Sequence, residues 1–259
     1  MLNVQPIFRI WGKSPFAIVI LHGGPGAAGD IASLASELGK YFGVIEPFQT
    51  GTSILSQLNE LKFVIEEKAK KPIVLIGHSW GAWLGFIFAS HHPELVKKLI
   101  MVGTPPFEDS YVALMRKTRE ERISKPNREQ LDKITDGLKT NPKESFQKMG
   151  ELISKIDSFD LLPIHDEVYF RSDIYSSIWG EAEKMRKENQ LLCLTTKISC
   201  PVVAFHGDYD PHPWRGVKIP LEERILEFKF ILLEKCGHYP WKEKFARELF
   251  LKKMIEELV

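Results

Sequence analysis

The five residues Gly77-His78-Ser79-Trp80-Gly81 constrain this chain more than any other stretch. They are preceded directly by Ile73-Val74-Leu75-Ile76, a short apolar run rich in β-branched residues. They open a helix-length apolar segment, Trp80 to His91. Passing from a buried strand into a helix at a single serine requires a sharp turn, with the serine in a strained backbone conformation. Side chains two positions before and after it would collide, which explains glycine at 77 and 81. The turn lifts the Ser79 hydroxyl to the carboxyl end of a sheet. The helix that follows points free N–H groups and partial positive charge at the same spot.

Similar runs recur along the chain. Phe16 to Leu21 and Leu99 to Val102 each end at glycine, and Gly43 to Ile45 is a weaker example. Pro201 to Phe205 and Phe230 to Leu233 resume the signal later. These read as strands buried on both faces. Helix-length segments lie between the early ones, at about 31–38, 53–70 and 80–91, and a closing helix is expected from Trp241 to Leu258. Alternating strands and helices predict an α/β fold, a mostly parallel sheet with helices on both faces. From 106 to 190 the pattern changes to charged, helical sequence broken by Pro126, Pro142 and Pro163. The predicted organisation is a core of 1–105 and 191–259 with 106–190 as a helical insertion. Aromatic residues of the insertion, such as Phe107, Phe159, Tyr175 and Trp179, are expected mostly to dock it on the core.

Composition narrows the function classes. Lys and Arg total 35 against 34 Asp and Glu, a formal charge of +1. No general pull toward nucleic acid or an anionic membrane follows from that balance. No apolar stretch reaches the roughly 20 residues of a spanning helix. The three cysteines, Cys193, Cys200 and Cys236, are odd in number and lack zinc spacing, so they read as reduced thiols. Met1 to Gly12 lacks a signal-peptide pattern. A cytoplasmic protein acting on a small molecule is expected, with no nucleic-acid or membrane partner; the sequence is silent on oligomeric state.

A serine needs a base to act as nucleophile at neutral pH. In a strand–turn–helix elbow the partners follow in the order serine, acid, histidine. His206-Gly207-Asp208-Tyr209-Asp210-Pro211 follows one strand end and Cys236-Gly237-His238-Tyr239-Pro240 another. Both loops would open at the carboxyl edge of the sheet, beside Ser79. Asp210 is expected to orient His238, with Asp208 as the fallback acid, and His238 to take the Ser79 proton. The oxyanion donors expected are the N–H groups of Trp80 and Gly24, with Gly23 next, from the loop His22-Gly23-Gly24-Pro25-Gly26. His22 reads as a structural ring bonded to loop backbone, and His78 as a packing residue or pocket wall. The alternation of His206, Asp208, Asp210 and His212 could be taken for a metal cluster. Alternation shares a face only in a strand, and Pro211 and Pro213 indicate a loop, so no metal and no cofactor is expected.

On these segments the chain resembles the α/β-hydrolase superfamily. His22 to Gly26, Ser79-Trp80-Gly81 and Gly237-His238-Tyr239-Pro240-Trp241 together resemble its proline iminopeptidase-like and carboxylesterase-like branch. The resemblance spans about 14–105 and 195–259. It implies a Ser79–Asp210–His238 triad, no cofactor, and a helical cap inserted after the strand ending near Gly103. Two features depart from the peptidases: Gln49 stands where an arginine is expected, and the N-terminus has room for one strand before Phe16. Peptidases of this kind hold the substrate amino terminus with cap carboxylates; Asp157, Asp160, Asp166 and Glu167 are present here, and none matches by position. The leading expectation is a serine hydrolase that cleaves a small ester or amide through an acyl-enzyme. An aminopeptidase of the proline iminopeptidase type is the alternative. An acyltransferase, a cofactor-free oxidative enzyme and a non-catalytic binding module are further classes, because fold does not fix reaction.

Overall fold

A computed structural model describes residues 7–137 and 140–259; part of the Met1 to Gly12 stretch therefore lies outside the described residues. The elements in chain order are β1 (Phe8–Trp11), β2 (Phe16–Leu21), β3 (Ala27–Ala28), α1 (Ala32–Leu38), β4 (Gly43–Pro47), α2 (Ile54–Lys68), β5 (Ile73–His78), α3 (Trp80–His91) and β6 (Val96–Val102). Then come α4 (Val112–Arg122), α5 (Lys125–Gly137), α6 (Pro142–Ile156), β7 (Tyr169–Phe170), α7 (Ser172–Lys187) and α8 (Gln190–Cys193). The chain finishes with β8 (Val202–Gly207), α9 (Arg215–Glu222), β9 (Phe228–Leu233) and α10 (Arg247–Leu258).

Seven strands form one sheet in the order β1-β4-β2-β5-β6-β8-β9. Every pairing is parallel except that of β1 with β4. The strands have the predicted two-sided burial. Val19, Leu21, Leu75, Leu99 and Met101 face α2, α3 and α9. Their alternates Ile18, Ile20, Val74, Ile76 and Ile100 face α1 and α10. A period of two on strands covered on both sides requires apolar residues at every position, which is why the runs are continuous. Helix α3 is buried along its length from Trp80 to Ser90, so it is apolar all round rather than amphipathic.

Some boundaries differ from the sequence reading. The closing helix starts at Arg247, not Trp241; residues Pro240–Lys242 form a separate 3₁₀ turn, because Glu243 is drawn into the interior by three backbone donors. The single strand before Phe16 is β1. Its Arg9 pairs in register with Glu46 of β4, and the guanidinium grips that buried carboxylate at 2.7 and 3.0 Å. Glu46 therefore takes its cation from the neighbouring strand, while Gln49 is buried with neither polar atom bonded among the described residues.

Helices α4 to α7 fall between β6 and β8 in the chain. Trp179 of α7 stacks on Trp83 of α3 at 6.1 Å, and Phe107 meets Phe86 edge-on at 5.0 Å. The short strand β7 pairs with β3, tying this segment to the loop after β2. Among the described residues no helix is long and apolar enough to cross a membrane.

Candidate active site

Strands β2, β5, β6, β8 and β9 run parallel, so their carboxyl ends share one edge, and the loops carrying the expected site residues meet there. Ser79 occupies the turn between β5 and α3 with φ of 52° and ψ of −116°, a region costly for any side chain. A Cβ on Gly77 would lie 2.1 Å from the Gly81 carbonyl oxygen, and one on Gly81 2.5 Å from that of His22. The two glycines are thus a steric condition for the turn. The Ser79 N–H donates to Val102 at 2.9 Å, while Oγ has no hydrogen-bond partner among the described residues.

Asp210 and His238 are in direct contact, Nδ1 to Oδ2 at 2.8 Å. Both are buried. The carboxylate can only accept, so Nδ1 carries the proton and Nε2 faces away from Asp210 with no bonded partner among the described residues. His78, the residue before Ser79, is in contact with His238. Its Nε2–H donates to the His238 carbonyl at 3.0 Å, and the two rings are 4.7 Å apart. His78 is a wall of the site, as expected, packed also on Tyr239 and Trp241.

Electrostatics follow from burial and neighbours. Burial pulls the His238 imidazole down. The Asp210 charge, its hydrogen bond and the Asp157 carboxylate together outweigh that, so the net shift is upward. Burial pushes Asp210 up, but the imidazoles of His238, His212 and His206 hold it well below the usual carboxylate range. Burial lowers His22 to about 4, a neutral ring whose Nδ1–H donates to Gly23 at 2.8 Å, as expected of a structural histidine.

Among the expected oxyanion donors, Gly24 and Trp80 N–H have no acceptor among the described residues. Gly23 does not qualify. Its N–H donates to Asp30 Oδ1 at 3.0 Å, so it shapes the loop instead. Burial raises the Asp30 carboxyl to about 7, opposed by Lys242.

The alternating run after β8 divides its labour. Asp208 is not the acid beside His238; its Oδ1 accepts the Cys236 N–H at 3.2 Å and so bridges to the histidine loop. His206 Nε2–H donates to the His212 carbonyl at 2.8 Å. His212 bonds Asp210 twice, through its ring Nδ1 at 2.8 Å and its backbone N–H at 2.9 Å. Asp210, His212 and His238 each offer a ligand atom within 4.8 Å of the others. Hydrogen bonds from two imidazoles to one carboxylate account for that closeness.

Three features escaped the sequence reading. An aspartate that accepts the N–H two residues on is a common turn device, so the Asp210–His212 backbone bond was legible in principle. Glu243 gave no signal. Buried completely, it accepts N–H groups from Gly237, Phe159 and Asp160, each at 2.8 Å. Arg119 grips Asp157 at 2.6 and 2.9 Å, and the Asp157 carbonyl accepts the His238 N–H at 3.0 Å.

A family model described as the alpha/beta hydrolase fold matches residues 17–244. Proline iminopeptidase of Lactobacillus helveticus is 25% identical over 94% of this chain and 91% of that protein. The soluble epoxide hydrolase of Corynebacterium sp. (strain C12) is 22% identical with the same coverage. Among solved structures, VinJ superposes with a TM-score of 0.69 at 20% identity, covering 97% of this chain and 93% of its own. Proline iminopeptidase of Mycobacterium smegmatis gives 0.62 at 16% identity, with coverage of 97% and 93%.

Proposed function

The chain belongs to the α/β-hydrolase family, and from that premise we propose that it is a serine hydrolase acting on a small ester or amide, carboxylesterase-like in its chemistry. Ser79 is the nucleophile, His238 the base and Asp210 the acid that holds His238 in its Nδ1–H form. Ser79 Oγ attacks the carbonyl carbon as His238 Nε2 takes its proton. The oxyanion is held by the N–H groups of Gly24 and Trp80. His238 then protonates the leaving group, and water repeats the sequence to release the acid. The segment 106–190 acts as the cap over this edge.

The observation that carries the reading is the conjunction of a strained serine turn and a buried 2.8 Å Asp210–His238 bond at one sheet edge. Relatives named proline iminopeptidase favour the aminopeptidase alternative. The pairing of the four carboxylates named above weighs against it. Asp157 is paired with Arg119 at 2.6 Å, Asp166 with Lys242 at 2.8 Å and Asp160 with Lys244 at 3.7 Å, while Glu167 is exposed. Three of these four carboxylates are committed to cations, which ranks an ester or an uncharged amide ahead of a substrate with a free ammonium.

The test compares p-nitrophenyl esters with aminoacyl amides and follows fluorophosphonate labelling. The expected outcome is ester hydrolysis and labelling in the wild type, both lost in Ser79→Ala with kcat down by at least ~10⁴. Turnover surviving in Ser79→Ala overturns the nucleophile. Activity confined to substrates with a free amine selects the peptidase.

A further inference from the structure

Asp210 serves two imidazoles. His238 Nδ1 lies 2.8 Å from Oδ2 and His212 Nδ1 2.8 Å from Oδ1, which also takes the His212 backbone N–H. Both rings must donate through Nδ1, since the carboxylate only accepts. Their centroids are 4.6 Å apart and their planes 34° from parallel. With both Nδ1 atoms turned to one carboxylate, both Nε2 atoms turn away from it. Neither Nε2 is among the sealed, unbonded polar atoms of the described residues. The His212 main chain is pinned as well, its carbonyl bonded to His206. A residue that merely filled space would not need three polar anchors around the acid.

Two imidazolium rings this close would repel, so one of the pair stays neutral. Burial lowers His212 to about 4 against the pull of Asp210, whereas His238 moves the other way. A neutral His212 is still a donor, and each donor to a carboxylate draws negative charge toward itself. Charge drawn to His212 is withheld from His238.

We infer that His212 is a positioning residue: it locks the Asp210 carboxylate and, by taking a share of its charge, limits how basic His238 becomes. The catalytic consequence rests on the reading of Ser79, His238 and Asp210 given above. The other groups facing His238 are His78 at the end of β5, His206 on β8, Asp157 after α6, Arg119 on α4, and Tyr239 on its own segment. None of them is bonded to the His212 side chain; His206 meets only its backbone carbonyl.

The test reads the histidine rings by ¹⁵N NMR across pH, alongside the pH profile of kcat/KM. In the wild type His212 should show the Nδ1–H tautomer and stay neutral at pH 7. His212→Phe keeps an aromatic ring and removes the donor, so more charge faces His238. Its titration midpoint and the acid limb of kcat/KM should both rise by about one pH unit. His212→Asn sets an amide N–H where Nδ1 was and should keep the midpoint within about 0.3 units of wild type. An unmoved midpoint in His212→Phe, equal shifts in both variants, or a wild-type His212 protonated on Nε2 each overturns the inference. The NMR readout does not need turnover. A His238 shift in a protein that neither labels nor hydrolyses would sink the hydrolase reading and leave the role of His212 standing.

Discussion

The serine turn and the histidine loop sit at the same sheet edge but are held there by different forces. At Ser79 the geometry is local and steric. A strand, a helix and two glycines within five residues leave the backbone one way through. At His238 the geometry is distant and polar. Its loop is fixed by Asp208 and Asp210 from after β8, by Glu243 from beyond it, and by Asp157 and Arg119 from the helical segment. The serine is aimed by backbone shape, and the histidine by buried hydrogen bonds. The first device tolerates no added atom, whereas the second should fail in steps as bonds are removed.

Graded substitutions can break or sharpen that contrast. Gly77→Ala should have the largest effect, because its Cβ has a carbonyl oxygen at 2.1 Å and no flexible neighbour to yield. Loss of soluble folded protein, or of all fluorophosphonate labelling in what remains, is expected; a labelled, folded Gly77→Ala protein would refute the steric account. Glu243→Gln comes next. The amide presents its own N–H groups to backbone donors that now meet a carboxylate, which should cost about 2–4 kcal/mol in urea unfolding. The kcat should fall with it as Gly237 loosens.

Arg119→Ala should be milder, lowering stability by about 1–3 kcal/mol, since a hydrogen-bonded partner of buried Asp157 is lost while the guanidinium site can admit water. Its expected signature is a lower denaturation midpoint with the Ser79 label retained. Lys117→Ala marks the bottom of the scale. Lys117 is an exposed residue of α4 whose 3.8 Å pair with Glu121 is bathed in solvent. Neither activity nor the thermal midpoint should move.

The helical segment belongs to the second kind of device. Leu162 N–H donates to the Lys242 carbonyl and Lys244 N–H to that of Asp160, both at 2.8 Å. With Phe159 and Asp160 on Glu243, these bonds zip 157–162 along 237–244. The C-terminal end of α6 is therefore part of the histidine loop's scaffold as well as part of the helical segment. It also explains why the carboxylates of this segment could not be matched from sequence. They hold lysine, arginine and backbone partners that are up to 133 residues away along the chain.

The sequence by itself determined the strands, because burial on both faces demands continuous apolar runs. It determined the serine turn, because only glycine clears the crossing of strand and helix. It placed Ser79, Asp210 and His238 on one edge, because the loops that carry them leave the same ends of parallel strands. Tertiary structure alone decided which donors each carboxylate meets. The Gly23 N–H, second choice after Gly24, went to Asp30, the fallback acid Asp208 became a brace, His212 turned out to bond Asp210, and Glu243 entered unannounced. A hydrogen bond depends on a few tenths of an ångström between groups far apart in the chain, and no periodicity records that distance.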